Sequence, residues 1–144
     1  MSAFGRIYDV AATGMAAQRL RVQLIAANVA NSETTRTPAG GPYRKKDAVF
    51  EVASLGKALD GTDFLGVRVK EVRSSADPFS TRFEPGHPDA NPEGMVLYPN
   101  VNPVLEMVDL TEASRSYEAN VAVVRSVRSM SQAALDLLRV QATA

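Results

Sequence analysis

The 144 residues include no cysteine, which excludes disulfides, thiolate metal sites and cysteine nucleophiles and leaves the chain indifferent to the redox state of its compartment. Histidine occurs once, so a Ser/His/Asp triad or an imidazole metal site would have to use His87. That residue stands in Glu84-Pro85-Gly86-His87-Pro88-Asp89, an exposed turn without the rigid surroundings such chemistry needs, and it reads as loop. Neither G-x-x-x-x-G-K-[ST] nor G-x-G-x-x-G is present, and the carboxylates are not paired in an apolar setting. We therefore expect no catalytic residue, no cofactor, no metal and no small-molecule substrate. Sixteen Lys plus Arg balance sixteen Asp plus Glu, so nothing builds the concentrated positive field that nucleic acid or an anionic membrane would require. No run approaches the roughly 20 apolar residues of a membrane span, which argues against direct membrane insertion. Arg6, Asp9, Gln18, Arg19 and Arg21 also interrupt any signal-peptide core, so export, if the chain leaves the cytoplasm, is expected to proceed without a cleaved leader.

Proline is missing from both ends. All eight prolines fall between residues 38 and 103, and seven of the nine glycines lie between 40 and 94. The chain is therefore expected to be α+β: a helix over 1–32, a loop and small irregular β-rich region over 33–101, and a second helix over 102–144. Ser2 is placed to cap the first helix, and Asn102 the second, with Pro103 at the first helical position where its missing N–H costs nothing. Glu106, Asp109, Glu112 and Glu118 precede Arg125, Arg128 and Arg139, an order that suits the helix macrodipole.

Each terminal helix shows apolar residues on more than one side, whereas a helix lying on one globular core needs a single face. Heptad seams in the first include Tyr8, Met15, Val22, Leu24, Ile25 and Val29, and Asn28 and Asn31 lie within or beside them. Those in the second include Tyr117, Asn120, Val121, Val124, Val127, Met130, Leu135 and Leu138. A chain this short cannot wrap both helices all round, so these sixteen residues are the expected subunit interface, with the three asparagines as candidates for fixing register at a cost in stability. The same reasoning expects the arms to be only marginally helical alone, with Gly5 and Gly14 each costing about 1 kcal/mol.

In the middle, Arg36 to Pro42 is a loop. The basic run Tyr43-Arg44-Lys45-Lys46 reads as a solvated strand edge. Ala48, Phe50 and Val52 alternate with polar neighbours as one strand with its apolar side buried, Leu65, Val67 and Val69 as a second, with Asp60-Gly61 in their connection and Met95 to Tyr98 as a third.

Several segments resemble a known family. Ala26-Ala27-Asn28-Val29-Ala30-Asn31 with Thr34 and Thr35 is similar to the Ala/Asn signature near the N-terminus of bacterial flagellar rod and hook axial proteins, and Pro42-Tyr43-Arg44 resembles the element that follows it in the proximal-rod type. Phe83 to Ala90, then Tyr98-Pro99-Asn100-Val101-Asn102-Pro103-Val104-Leu105-Glu106-Met107-Val108-Asp109, then Ala113-Ser114-Arg115-Ser116-Tyr117-Glu118-Ala119-Asn120 resemble that same type closely, as does Ser129-Met130, although Arg128 stands where lysine is usual. Residues 54 to 82 carry no family motif.

The resemblance implies terminal helices paired as a coiled-coil-like inner domain, with a small β-rich part facing outward. It implies a non-enzymatic structural subunit of the proximal rod, which polymerises through its terminal helices into a hollow drive shaft that transmits torque and passes exported subunits. Delivery would be by the flagellar type III system, and location the basal body where the rod crosses the periplasm. Partners would be further copies, the other proximal and distal rod proteins, and the rod-base adaptor at the membrane ring and export gate. A soluble coiled-coil adaptor or export chaperone is the alternative, although it has no need of a Pro/Gly-rich β middle. A muramidase would need a buried glutamate beside a second carboxylate.

Overall fold

A computed structural model describes residues 3–57 and 61–142, with the side chains of 3, 4, 138 and 140–142 outside the description. The expected cap Ser2, the loop residue Asp60 and the side chain of the expected interface residue Leu138 therefore lie outside the described residues. The fold is α+β, with helix α1 (Ala3–Ala30), strands β1 (Lys46–Lys57), β2 (Asp63–Ser74), β3 (Ser80–Phe83) and β4 (Met95–Tyr98), and helix α2 (Pro103–Ala142). No helix among the described residues is long and apolar enough to cross a membrane.

Asn102 starts α2 as its chemistry dictates: its Oδ1 accepts from Val104 N at 3.1 Å and Leu105 N at 3.4 Å, while its carbonyl takes Glu106 N. At the other junction Asn31 closes α1, its Nδ2 donating to Ala27 O at 2.8 Å and its Oδ1 accepting from Thr34.

The chain divides into two compact units. One takes the chain up to Arg19, Phe50–Val69 and the chain from Ser114 on. Here the helices meet through small residues. Ala11 and Ala17 are buried, and Gly14 lies so close to α2 that an added Cβ would stand 3.0 Å from Asn120 Nδ2. Beyond residue 131 every described side chain of α2 is exposed. The β1–β2 hairpin also packs on α1 in this unit, through a glycine. Gly66 is buried, with Thr13 Oγ1 2.7 Å and Leu55 Cδ1 2.8 Å from where a Cβ would be, and Thr13 Oγ1 accepts from Val67 N at 3.2 Å.

This close approach corrects the expected phase at Val52, Leu65 and Val67, whereas Ala48, Phe50 and Val69 are half-covered as the alternation expected. Leu65 and Val67 are exposed while Phe64 and Gly66 turn inward, because only a residue without a side chain lets the strand backbone reach the helix. In β1, likewise, Val52 is 68% exposed and Ala53 and Leu55 are the more covered residues. A one-residue shift exchanges the two faces of a strand, so alternation alone could not fix which face is inner.

The other unit comprises Leu20–Val49 and Lys70–Ala113. In it α1 and the start of α2 run antiparallel, since Arg21 reaches Asp109 at 3.7 Å and Glu112 at 3.6 Å while Asn28 meets the earlier Glu106. Strands β3 and β4 pair antiparallel in the register Ser80↔Tyr98 to Phe83↔Met95. Val96 and Tyr98 point to the buried side, with Arg82 stacked 4.3 Å over the Tyr98 ring. Strand β3 was not expected from the sequence, because all four of its side chains are exposed and show no alternation.

Candidate functional site

The most fully buried polar group sits where three separated motifs meet. Asn28 is wholly buried on α1, and each of its side-chain hydrogen-bonding positions is used. Its Nδ2 donates to Lys46 O at 3.0 Å and to Glu106 Oε2 at 2.9 Å, and its Oδ1 accepts from Lys46 N and from the Tyr43 hydroxyl, each at 3.0 Å. Glu106, 1% exposed, receives Lys45 Nζ on its other oxygen at 2.6 Å. Lys45 N is held by Asn100 Oδ1 at 2.9 Å. Burial of a carboxylate is tolerable only with such partners.

The same network corrects the reading of Tyr43-Arg44-Lys45-Lys46 as a solvated edge. Lys45 is a mostly covered counter-ion, and Arg44 stacks 4.1 Å over Phe79 while donating to the carbonyls of Ser75 and Asp77. Burial pulls the Lys45 ammonium down, but the Glu106 hydrogen bond and the charges of Asp47, Glu106 and Asp109 outweigh it and raise the group above its ordinary 10.5. Tyr43 is raised above its ordinary 10.0 by burial first, then by Glu106 and Asp47.

A second latch ties the Glu84–Asp89 turn down. The Thr35 hydroxyl donates to Asp89 Oδ2 at 2.8 Å, Arg36 pairs with the same carboxylate, and Asp89 N donates to His87 Nδ1. The Thr35 bond is the main reason Asp89 falls below its ordinary 3.8. Tyr98 donates to Glu84 at 3.0 Å. His87 is thus a turn-forming residue, and no group of three or more His, Cys, Asp or Glu among the described residues is arranged to hold a metal.

Turning Glu106 inward sets the rest of the first two turns of α2. At 100° per residue Val104 and Val108 come out opposite Glu106, with Leu105 and Met107 on the flanks. Their exposures run from 57% to 70%, the reverse of an ordinary amphipathic turn. This apolar ridge was missed in the sequence, where acid in a first helical turn reads as a dipole partner rather than as an inward group. The signal that would have found it is four large apolar residues crowded around one glutamate.

The sixteen expected interface residues divide. Ile25, Asn28 and Val127 are buried within this chain, and Met15, Val22, Leu24, Val29, Asn31, Asn120, Val121 and Val124 are half-covered. Tyr8, Tyr117, Met130 and Leu135 remain exposed.

Comparison with known proteins agrees with the motifs gathered here. Residues 9–36 match the family model "Flagella basal body rod protein", and residues 93–137 match "Flagellar basal body rod FlgEFG protein C-terminal". The flagellar basal-body rod protein FlgC of Borreliella burgdorferi is 42% identical over 144 residues, covering 91% of this chain and 95% of its own. That of Escherichia coli O6:H1 is 43% identical over 124 residues (86% and 90%), and that of Bacillus subtilis 35% identical over 151 (95% and 99%).

Proposed function

Because the chain belongs to the family of flagellar basal-body rod proteins, we propose how it works within that assembly. It is a structural subunit of the flagellar basal-body rod. Its work is mechanical, without catalysis: copies pack with one another and with the other proximal and distal rod components through the terminal helices, forming a hollow shaft that carries torque and leaves a path for exported subunits. The base of that shaft meets an adaptor at the membrane ring and the export gate, and the chain arrives through the flagellar type III route with no leader removed.

The observation that carries this reading is bare apolar surface along α2. Val104, Leu105, Met107 and Val108 at one end of α2 and Met130, Leu135 and Leu137 towards the other are all more than half exposed. A monomer rarely leaves so much of one helix uncovered unless partners cover it. Identical chains joined head to tail by such faces build open helical assemblies. Among the expected contacts, Tyr8, Tyr117, Met130 and Leu135 are the ones exposed for another subunit, while Ile25 and Val127 are buried within this chain and Asn28 ties its two helices together.

Deleting the chain from its host and isolating basal bodies tests the proposal. Loss of motility with rods cut short, restored by the wild-type chain and with that chain recovered in purified basal bodies, is the expected result. Motile deletion cells with rods of normal length would overturn it.

A further inference from the structure

The outer face of the β3–β4 hairpin is apolar and open. Phe83 and Leu97, both on the side opposite the buried Val96 and Tyr98, are 68% and 50% exposed. Over this face lies a groove of about 480 Å³, floored by Met95 and Leu97 and walled by the loop from Thr35 to Pro42 on one side and the turn from Pro88 to Asn91 on the other. Pro42, Pro88 and Ala90 extend its apolar lining, and the latch of Arg36, Thr35 and Asp89 closes one rim. The latch ties the two walls to each other through the chain's own side chains, which fixes the width of the groove.

The same unit carries a convex counterpart. The ridge of Val104, Leu105 and Val108 stands on a helix fixed from behind by Glu106, Lys45 and Asn28. Only four residues separate the end of β4 from the start of α2, too short a link for the ridge to fold back into its own groove. The geometry points to a second copy of this chain as the occupant: the first two turns of α2 in one copy seat their apolar ridge in the β3–β4 groove of the next, as an amphipathic helix lies in a hydrophobic groove. Charge agrees at the rim. Arg36, although paired with Asp89, keeps about three-quarters of its side chain exposed there. The ridge continues into Glu112, which lies 3.6 Å from Arg21 yet is 65% exposed on the Leu105 side of the helix, so each can take the other as a second partner. Groove and ridge are different surfaces, so the contact is heterologous and leaves a free groove and a free ridge at the two ends of any stack. This inference rests on the rod-subunit reading and names which surface of one copy meets which surface of another.

The cysteine-free sequence allows a clean test. Leu97→Cys and Val104→Cys, both at exposed positions, are produced singly and together in host cells lacking the native chain, and isolated basal bodies are oxidised. The expected result is a covalent pair of chains only where both single variants are present, joined between peptides spanning positions 97 and 104, and a ladder of higher multiples from the double variant. Equal coupling of either single variant with itself overturns the proposal. So does a chain present in basal bodies with no coupling, or a Leu97→Cys adduct whose partner is another protein. Those results leave the rod reading standing, whereas absence of the chain from basal bodies removes both.

Discussion

Asn28 bonds to two backbone groups and two side chains contributed by a loop, a strand and the facing helix. Replacing it with leucine keeps the volume and orphans Lys46 N, Lys46 O and the Tyr43 hydroxyl. We expect Asn28→Leu to lower stability by about 4 kcal/mol, since each buried unpaired group costs roughly 1–3 kcal/mol; urea unfolding measures it. The Lys45–Glu106 pair adds a pH signature. Lys45 is raised above 10.5 in the folded chain, so its contribution is complete below 10.5 and is lost as pH climbs through the higher folded value, and Tyr43, raised above 10.0, acts in the same direction. Melting temperature should therefore fall between about pH 10 and pH 12, and Lys45→Met should flatten that fall. Asn28 and Tyr43 stood out in the sequence through the family motifs. The inward Glu106 and the covered Lys45 did not, because charged residues are so rarely buried that a solvated face is the natural reading of each.

At the scale of the element, Gly14 shows how a poor helix former can be the fitting one. Its propensity cost of about 1 kcal/mol is the figure for a helix interior with nothing against it. Here the amide of Asn120 occupies the space a methyl group would take, 3.0 Å from its would-be position. Gly14→Ala should destabilise by about 1 kcal/mol despite its better propensity, and in an Asn120→Ala background the same change should stabilise by about 1 kcal/mol; the thermodynamic cycle reads the coupling. Both helices were legible from proline-free ends and from the Asn102-Pro103 start, and β4 from its run of Met95 to Tyr98. The inner faces of β1 beyond Phe50 and of β2 around Gly66 were not. Leu65 and Val67 advertise themselves as buried by composition, and only the approach of Gly66 to Thr13 reverses them.

For the whole molecule the deciding feature is where apolar area is left uncovered. Exposed residues contribute little to the fold of a single chain, so Val104→Lys with Val108→Lys should change the melting temperature of the dilute protein by no more than about 0.5 kcal/mol equivalent per site. In host cells the same pair should abolish incorporation into basal bodies and motility, a separation of folding from assembly that circular dichroism and motility plates read independently. Wild-type melting should also shift upward with protein concentration, as it does for any chain whose folded form is drained into larger assemblies. The sequence announced surplus apolar surface but placed it along both arms evenly. The ridge at residues 104–108 emerges only once the glutamate between them is seen to face inward.

The network around Asn28 also governs timing. Its members come from positions 28, 43 to 46 and 106, so most of the chain separates the first from the last. On the export route proposed above, the arrangement cannot close until positions 28 and 106 have both left the conduit, so the two helices would be locked to each other only after that whole span has arrived.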